Sequence, residues 1–185
     1  NRLTSPWFVT LIMLMFLAGC EPTEQRAETD GQQPDPVAQV TAAGDDFDEL
    51  AVSFIGRWEG LRLEAYQDIV GIWTGCFGET KGGEPGDRYK EAECAAILAR
   101  EIRSYQTGLH EFFTADTKAQ RLPVPRDVAF VSLAYNVGVA GAGKSTAVRR
   151  LNAGDVPGAC EALTWWNKAG GRVIRGLVNR RTEER

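Results

Sequence analysis

Phe47, Leu50, Ala51, Phe54, Ile55 and Trp58 fall at i, i+3, i+4, i+7, i+8 and i+11, which makes one apolar stripe along a helix. Asp45 or Asp46 can cap its start, and Gly60 can end it. The pattern then changes abruptly. LRLEAYQDIVGIWTGCFGETKGG has short apolar pieces, a Gly71 turn and further glycines at 75 and 78, which predicts an antiparallel sheet of two or three strands. The helical period returns from Lys90 to Phe113, with Cys94, Ile97, Leu98, Ile102, Tyr105, Leu109 and Phe112 in phase. Pro123 and Pro125 announce a helix carrying Val128, Val131, Leu133 and Tyr135, and shorter helices are expected near 144–153, 157–166 and 174–184. Strands confined to one stretch among helices predict an α+β, mainly helical fold. A small antiparallel sheet lobe would be joined to a larger helical lobe by the long helix.

The first 46 residues read differently. Residues 1–20 contain the run WFVTLIMLMFLA, from Trp7 to Ala18, followed by Gly19 and Cys20. That run is shorter than the roughly 17–25 residues of a spanning helix and suits a signal or anchor segment. The ending Leu17-Ala18-Gly19-Cys20 is lipobox-like, which makes Cys20 a lipidation candidate; the alternative is an incidental cysteine closing an ordinary anchor. Residues 21–46 are rich in Glu, Gln, Pro, Thr and Asp and read as a flexible acidic spacer. The working domain is therefore expected at 47–185, exported to the periplasm or the outer face of the cytoplasmic membrane and possessing a membrane contact through its anchor or lipid.

Export bears on the cysteines. Setting Cys20 aside, Cys76, Cys94 and Cys160 allow one disulfide and one free thiol, with three pairings. Cys76 with Cys94 is favoured, because closing a loop of about twenty residues stabilises by roughly 3 kcal/mol in the chain-entropy model. Neither the cysteine spacing nor the single His110 fits a zinc pattern, so no metal and no other cofactor is expected. His110 reads as a helix-face residue.

Two carboxylates stand out by placement. Glu59 ends the first helix, where the negative end of the dipole is an unfavourable site for a carboxylate and favours the protonated acid. Asp68 lies nine residues on, at the mouth of the predicted hairpin, with Thr74 across the turn. A protonated acid on one element and an ionised partner on another is the arrangement that glycosidic hydrolysis uses. Spacing alone favours two ordinary surface acids.

A competing signal is Gly138-Val-Ala-Gly-Ala-Gly-Lys-Ser145, which matches the phosphate-loop pattern G-x-x-x-x-G-K-[ST]. A nucleotide hydrolase would need further parallel strands and a magnesium-holding Asp after Ser145, and the remaining forty residues supply neither. The stretch is better read as a helix end, a glycine turn and a Ser145 cap, with no nucleotide bound.

Glu59-Gly60, Ala65-Tyr66-x-Asp68, Gly71-x-x-Thr74-x-x-x-Gly78 and Tyr135-Asn136-Val137-Gly138 together resemble the phage-type lysozymes, glycoside hydrolase family 24, including the endolysins of temperate phages. The likeness runs from about residue 48 to the end, and Glu93-Cys94, Gly158-Ala159-Cys160 and Trp166-x-x-Ala169-Gly170-Gly171 extend it towards the endolysin branch. The resemblance implies a lysozyme-like fold and a muramidase that cuts the β-1,4 bond between N-acetylmuramic acid and N-acetylglucosamine with inversion. It implies Glu59 as general acid, Asp68 as the group that positions or activates water, and Thr74 as a holder of that water. Tyr135, Asn136 and Ser145 become substrate-binding candidates, although Tyr135 and Asn136 equally suit a core tyrosine and a helix-ending asparagine. Where the family often has histidine after the glycine that follows the Thr motif, this chain has Glu79. A catalytically inactive wall-binding lipoprotein of the same fold is the alternative.

Residues 118–185 carry twelve basic and five acidic side chains. Arg149, Arg150, Lys168, Arg172 and Arg175 thus suit attraction of peptidoglycan, whose peptides carry free carboxylates, or else form a solvated face. Peptidoglycan, not nucleic acid, is the expected polymer, acted on by a monomer.

Overall fold

The computed structural model describes residues 38–68, 70–78, 80 and 83–185, with side chains from 46 onward. The signal segment, most of the spacer, Cys20 and Glu79 lie outside the described residues. No helix among those described is long and apolar enough to cross a membrane.

The opening helix, α1, runs from Ala38 to Glu59 and so starts well before the Asp45 or Asp46 cap expected from sequence. Its stripe faces inward as the period requires: Phe47, Ala51 and Ile55 are buried, while Leu50 at the stripe's margin is exposed. Gly60, at φ 78°, ends the helix, with its N–H bonded to the Gly56 carbonyl.

The hairpin follows at once. Strands β1 (Arg62–Gln67) and β2 (Trp73–Cys76) pair antiparallel, with Arg62 opposite Cys76, Tyr66 opposite Thr74 and Gln67 opposite Trp73. The register slips between the first two pairs, marking a bulge. A single bridge from Glu64 to Arg88 brings the chain back alongside β1. Tyr89 then lies over Gly75, where a Cβ would come within 2.3 Å of its ring, so glycine is needed for that contact.

The long helix α2 spans Glu91–His110 and is bonded to the hairpin by the Cys76–Cys94 disulfide. Its start lacks a Ser or Thr cap, as the sequence shows, yet the Glu93 carboxylate accepts the Lys90 N–H at 2.9 Å. Cys160 is disulfide-bonded as well, and none of the described cysteines is free. The expected free thiol is thereby overturned.

The helical lobe comprises α3 (Ala115–Gln120), α4 (Val124–Val137), α5 (Val139–Gly143), α6 (Thr146–Asn152), α7 (Val156–Leu163) and α8 (Arg175–Glu184). A short hairpin, β3 (Lys168–Ala169) with β4 (Arg172–Val173), precedes α8. Every residue of α4 from Asp127 to Ala134 is buried, which makes this helix the axis of the lobe. Ile55 of α1, Leu98 and Ile102 of α2, Val148 and Leu151 of α6 and Leu163 of α7 join it in one apolar core. The fold is thus α+β and mainly helical, with a small antiparallel sheet at one end, as read from sequence.

GVAGAGKS takes a form unlike a phosphate loop. It follows helix α4, not a strand, and Gly138 at φ 85° separates α4 from α5. The N–H groups of Ala142, Lys144 and Ser145 bond to the carbonyls of Gly138, Ala140 and Ala142. Amides spent within a helical turn cannot cradle phosphate oxygens. Gly143 packs against Phe112, whose ring atoms lie 2.4 Å from where a Cβ would stand. Ser145 caps α6, its hydroxyl oxygen accepting the Val148 N–H at 3.2 Å.

Candidate active site

Glu59 is the last residue of α1, delivered to the helix end by the same period that buries Ile55 one turn earlier. It does not stand alone there. Arg180 of α8 donates from Nη1 to Glu59 Oε1 at 2.9 Å, and the Arg180 side chain is only 5% exposed. This contact fixes the carboxyl through one oxygen and leaves the other for a proton or a substrate atom. Arg180 is itself held from behind: its Nη2 donates to the Ser132 hydroxyl at 3.1 Å and to the Ser132 carbonyl at 3.3 Å.

Asp68 follows β1 directly and begins the turn. Its Oδ1 accepts the Val70 N–H at 2.9 Å and the Ile72 N–H at 2.8 Å, so one oxygen of the carboxylate shapes the loop and the other stays available. The Ile72 carbonyl accepts both the Asp68 N–H at 2.9 Å and the Thr74 hydroxyl at 3.2 Å. Asp68 and Thr74 are therefore gathered about one peptide unit. Thr74 is buried, and its hydroxyl oxygen retains lone pairs for a bound water.

The other candidates fall in two places. Tyr135 and Asn136, near the end of α4, both face charged groups: the Tyr135 hydroxyl donates to Glu101 Oε2 at 3.0 Å, and Asn136 Oδ1 accepts from Arg181 Nη2 at 3.2 Å. Burial, then the charge of Glu101 and its hydrogen bond, push the Tyr135 phenol well above its ordinary range, and the Glu59 carboxylate adds to the push. Tyr135 thus lies within the field of Glu59, its ring packed at 4.8 Å on Tyr105. Ser145 is set apart from these, 6% exposed and occupied in capping α6. His110 pairs with Asp127 at 2.8 Å, a junction between α2 and α4, in keeping with a helix-face role.

Arg180, Ser132, Glu101 and Glu184 were not singled out from sequence. The signal was faint: in RGLVNRRTEER the arginines and glutamates stand at i, i+3 and i+4, which reads as a solvated, salt-bridged helix end. The helix is instead docked on α4, and Arg180, Arg181 and Glu184 are buried.

Residues 56–184 match the family model described as phage lysozyme. The chain belongs to the phage lysozyme family. Within it, the chain is 38% identical over 128 residues to the SAR-endolysin of Bacteriophage PS119, covering 69% of this chain and 74% of that one. It is 34% identical over 160 residues to the SAR-endolysin of Escherichia phage 933W, covering 80% and 88%. Among solved structures, the muramidase domain of SpmX from Asticaccaulis excentricus superposes with a TM-score of 0.62 at 27% identity, covering 73% of this chain and 91% of that one. The endolysin from Escherichia coli O157:H7 phage FAHEc1 gives a TM-score of 0.62 at 29% identity, covering 72% and 87%. The family match spans Glu59, Asp68, Thr74 and Arg180 alike.

Proposed function

We propose that this chain, a peptidoglycan-degrading lysozyme, cleaves the β-1,4 bond between N-acetylmuramic acid and N-acetylglucosamine with inversion, and does so in host lysis or wall remodelling. Glu59 is the general acid that protonates the leaving oxygen. Asp68 orients or activates the attacking water, and Thr74 helps hold it. The observation that carries this reading is the pair of half-committed carboxyls: Glu59 is fixed through Oε1 by Arg180, and Asp68 through Oδ1 by two backbone amides. Each is oriented by the protein while keeping one oxygen for chemistry, as preorganised acid and base require.

Tyr135 and Asn136 are proposed to line the saccharide site. Arg149, Lys168, Arg172 and Arg175, all exposed, are proposed to attract the anionic wall, while Arg150 is engaged by the Gly158 carbonyl and stacked over Trp165. Ser145, buried as a cap, would act there only by shaping the turn after α5. Export is proposed to use the N-terminal apolar segment, and membrane attachment to be through that segment or a lipid on Cys20; mass spectrometry of the mature N-terminus distinguishes them.

The test is digestion of purified, delipidated walls by the full chain, followed by analysis of the new reducing ends and, by NMR at early times, of their anomeric form. New N-acetylmuramic acid ends appearing first as the α-anomer are expected. New N-acetylglucosamine ends, or β-anomers first, would overturn the bond assignment or the inversion. The inactive wall-binding alternative gives no new ends.

A further inference from the structure

Glu184 is the most secluded carboxylate among the described residues: its side chain is 0% exposed, and it is the last residue of α8. Its Oε1 accepts the Ser132 hydroxyl at 2.7 Å and Arg180 Nε at 3.4 Å, and it forms an ion pair with Arg181 Nη2 at 3.0 Å. Arg180 continues from there to Glu59 at 2.9 Å. The two carboxyls are thus joined by a single guanidinium, one on each edge of its fork.

A buried guanidinium needs an anion, because desolvation of an isolated charge costs far more than a hydrogen bond returns. Were Glu59 the sole anion near Arg180, the proton required of a general acid would leave that guanidinium uncompensated. Arg181, 1% exposed, adds a second buried cation to the same cluster. With Glu184 ionised, a protonated Glu59 leaves two guanidiniums against one carboxylate, an excess of one positive charge; without Glu184 the excess would be two.

We propose that Glu184 acts through Arg180 as a positioning residue for Glu59: it is the buried counter-ion that lets Glu59 keep its hydrogen bond from Arg180 and still hold the proton to be delivered. The inference rests on the reading of Glu59 as general acid. Burial pushes the Glu184 carboxyl up to about 6 against the opposing pull of Arg181, Ser132 and Arg180, so it is charged near neutral pH, where Glu59 must be kept from ionising. Of the other charges near this cluster, the exposed pairs Arg57–Glu183 and Arg185–Glu161 lie outward and are each neutral as a pair, while the Glu101 carboxylate is reached through the Tyr135 hydroxyl.

The sign follows from electrostatics. Removing a negative charge behind Arg180 favours the ionised form of Glu59, so activity is lost at lower pH as pH rises.

The test is the pH profile of wall clearing by the full chain and by Glu184→Gln, Glu184→Asp, Glu184→Gln/Arg181→Met and Glu59→Gln, with the melting temperature of each. For Glu184→Gln the alkaline limb should move to lower pH by about one unit, a tenfold loss of rate on that limb. The double variant removes one cation with its anion and should return the limb towards wild type. An unmoved limb in folded Glu184→Gln, or a double variant that stays shifted, would overturn the proposal, since a merely structural role gives no charge rescue. Should Glu184→Gln fail to fold, Arg181→Met beside Glu184→Asp carries the test: the aspartate keeps the charge and should keep the limb, removing the cation should move the limb to higher pH, and an unmoved limb in Arg181→Met overturns the proposal. Undiminished clearing by Glu59→Gln would instead sink the general-acid reading itself.

Discussion

Replacing Cys76 and Cys94 together by alanine removes the covalent tie between the hairpin that carries Thr74 and the first turn of α2. The two cysteines are separated by 18 residues, and both are buried, at 1% and 0% exposure. Releasing a loop of that length returns about 3 kcal/mol of chain entropy to the unfolded state. For a domain of this size that corresponds to a melting temperature lowered by about 6–12 °C. Cys76 also carries a positive φ of 52°, found at no other non-glycine residue among those described. An alanine keeps that strain, so Cys76→Gly/Cys94→Ala should recover about 1 kcal/mol relative to the alanine pair. Urea unfolding and calorimetry on the variants are preferable to adding reductant, which would also attack the Cys160 disulfide. Because the loss originates in an expanded denatured state, the urea m-value should rise. A melting temperature within 2 °C of wild type, to take about one-third of the lowest expected shift, would refute the loop-closure reasoning.

Ser145→Ala removes the α6 cap and should cost about 1 kcal/mol in urea unfolding, without creating or removing ATP affinity; micromolar ATP binding by wild type would contradict the helical-turn reading. Glu184 has a folded value of about 6 against an ordinary 4.5, raised on folding, so its contribution to stability is lost as pH rises through that window; relative to Glu184→Gln, wild type should lose about 2 kcal/mol between pH 4 and 7, and parallel stability curves would rule this out. If the exposed basic residues draw in the wall, clearing should weaken as salt rises, and a flat response would remove them from the account.

What was legible in the sequence was what periodicity encodes. The stripe from Phe47 to Trp58, stopped by Gly60, placed Glu59 at a helix end, and the Gly71 turn put Asp68 at the mouth of the hairpin with Thr74 across from it. Loop length alone favoured the disulfide that forms. Composition misled where polar residues are buried by tertiary contact: Arg180 and Glu184 belong to a helix whose sequence reads as solvated, and only its docking on α4 reveals them as partners of Glu59. Glycines misled in the opposite sense, since the sequence GVAGAG suggests a turn while the chain makes the short helix α5 there, held by packing of Gly143 on Phe112. The early start of α1 was hidden by a spacer-like composition with no stripe to announce it.

The central claim is that Glu59 delivers the proton. Its most direct test is turbidity clearing of purified walls by wild type beside Glu59→Gln, which keeps the size of the side chain and an oxygen for Arg180 but supplies no acid. Loss of a general acid costs about 10²–10⁴-fold in rate. The account predicts a folded variant whose clearing is reduced at least about a hundredfold, and equal clearing by the two proteins would contradict it.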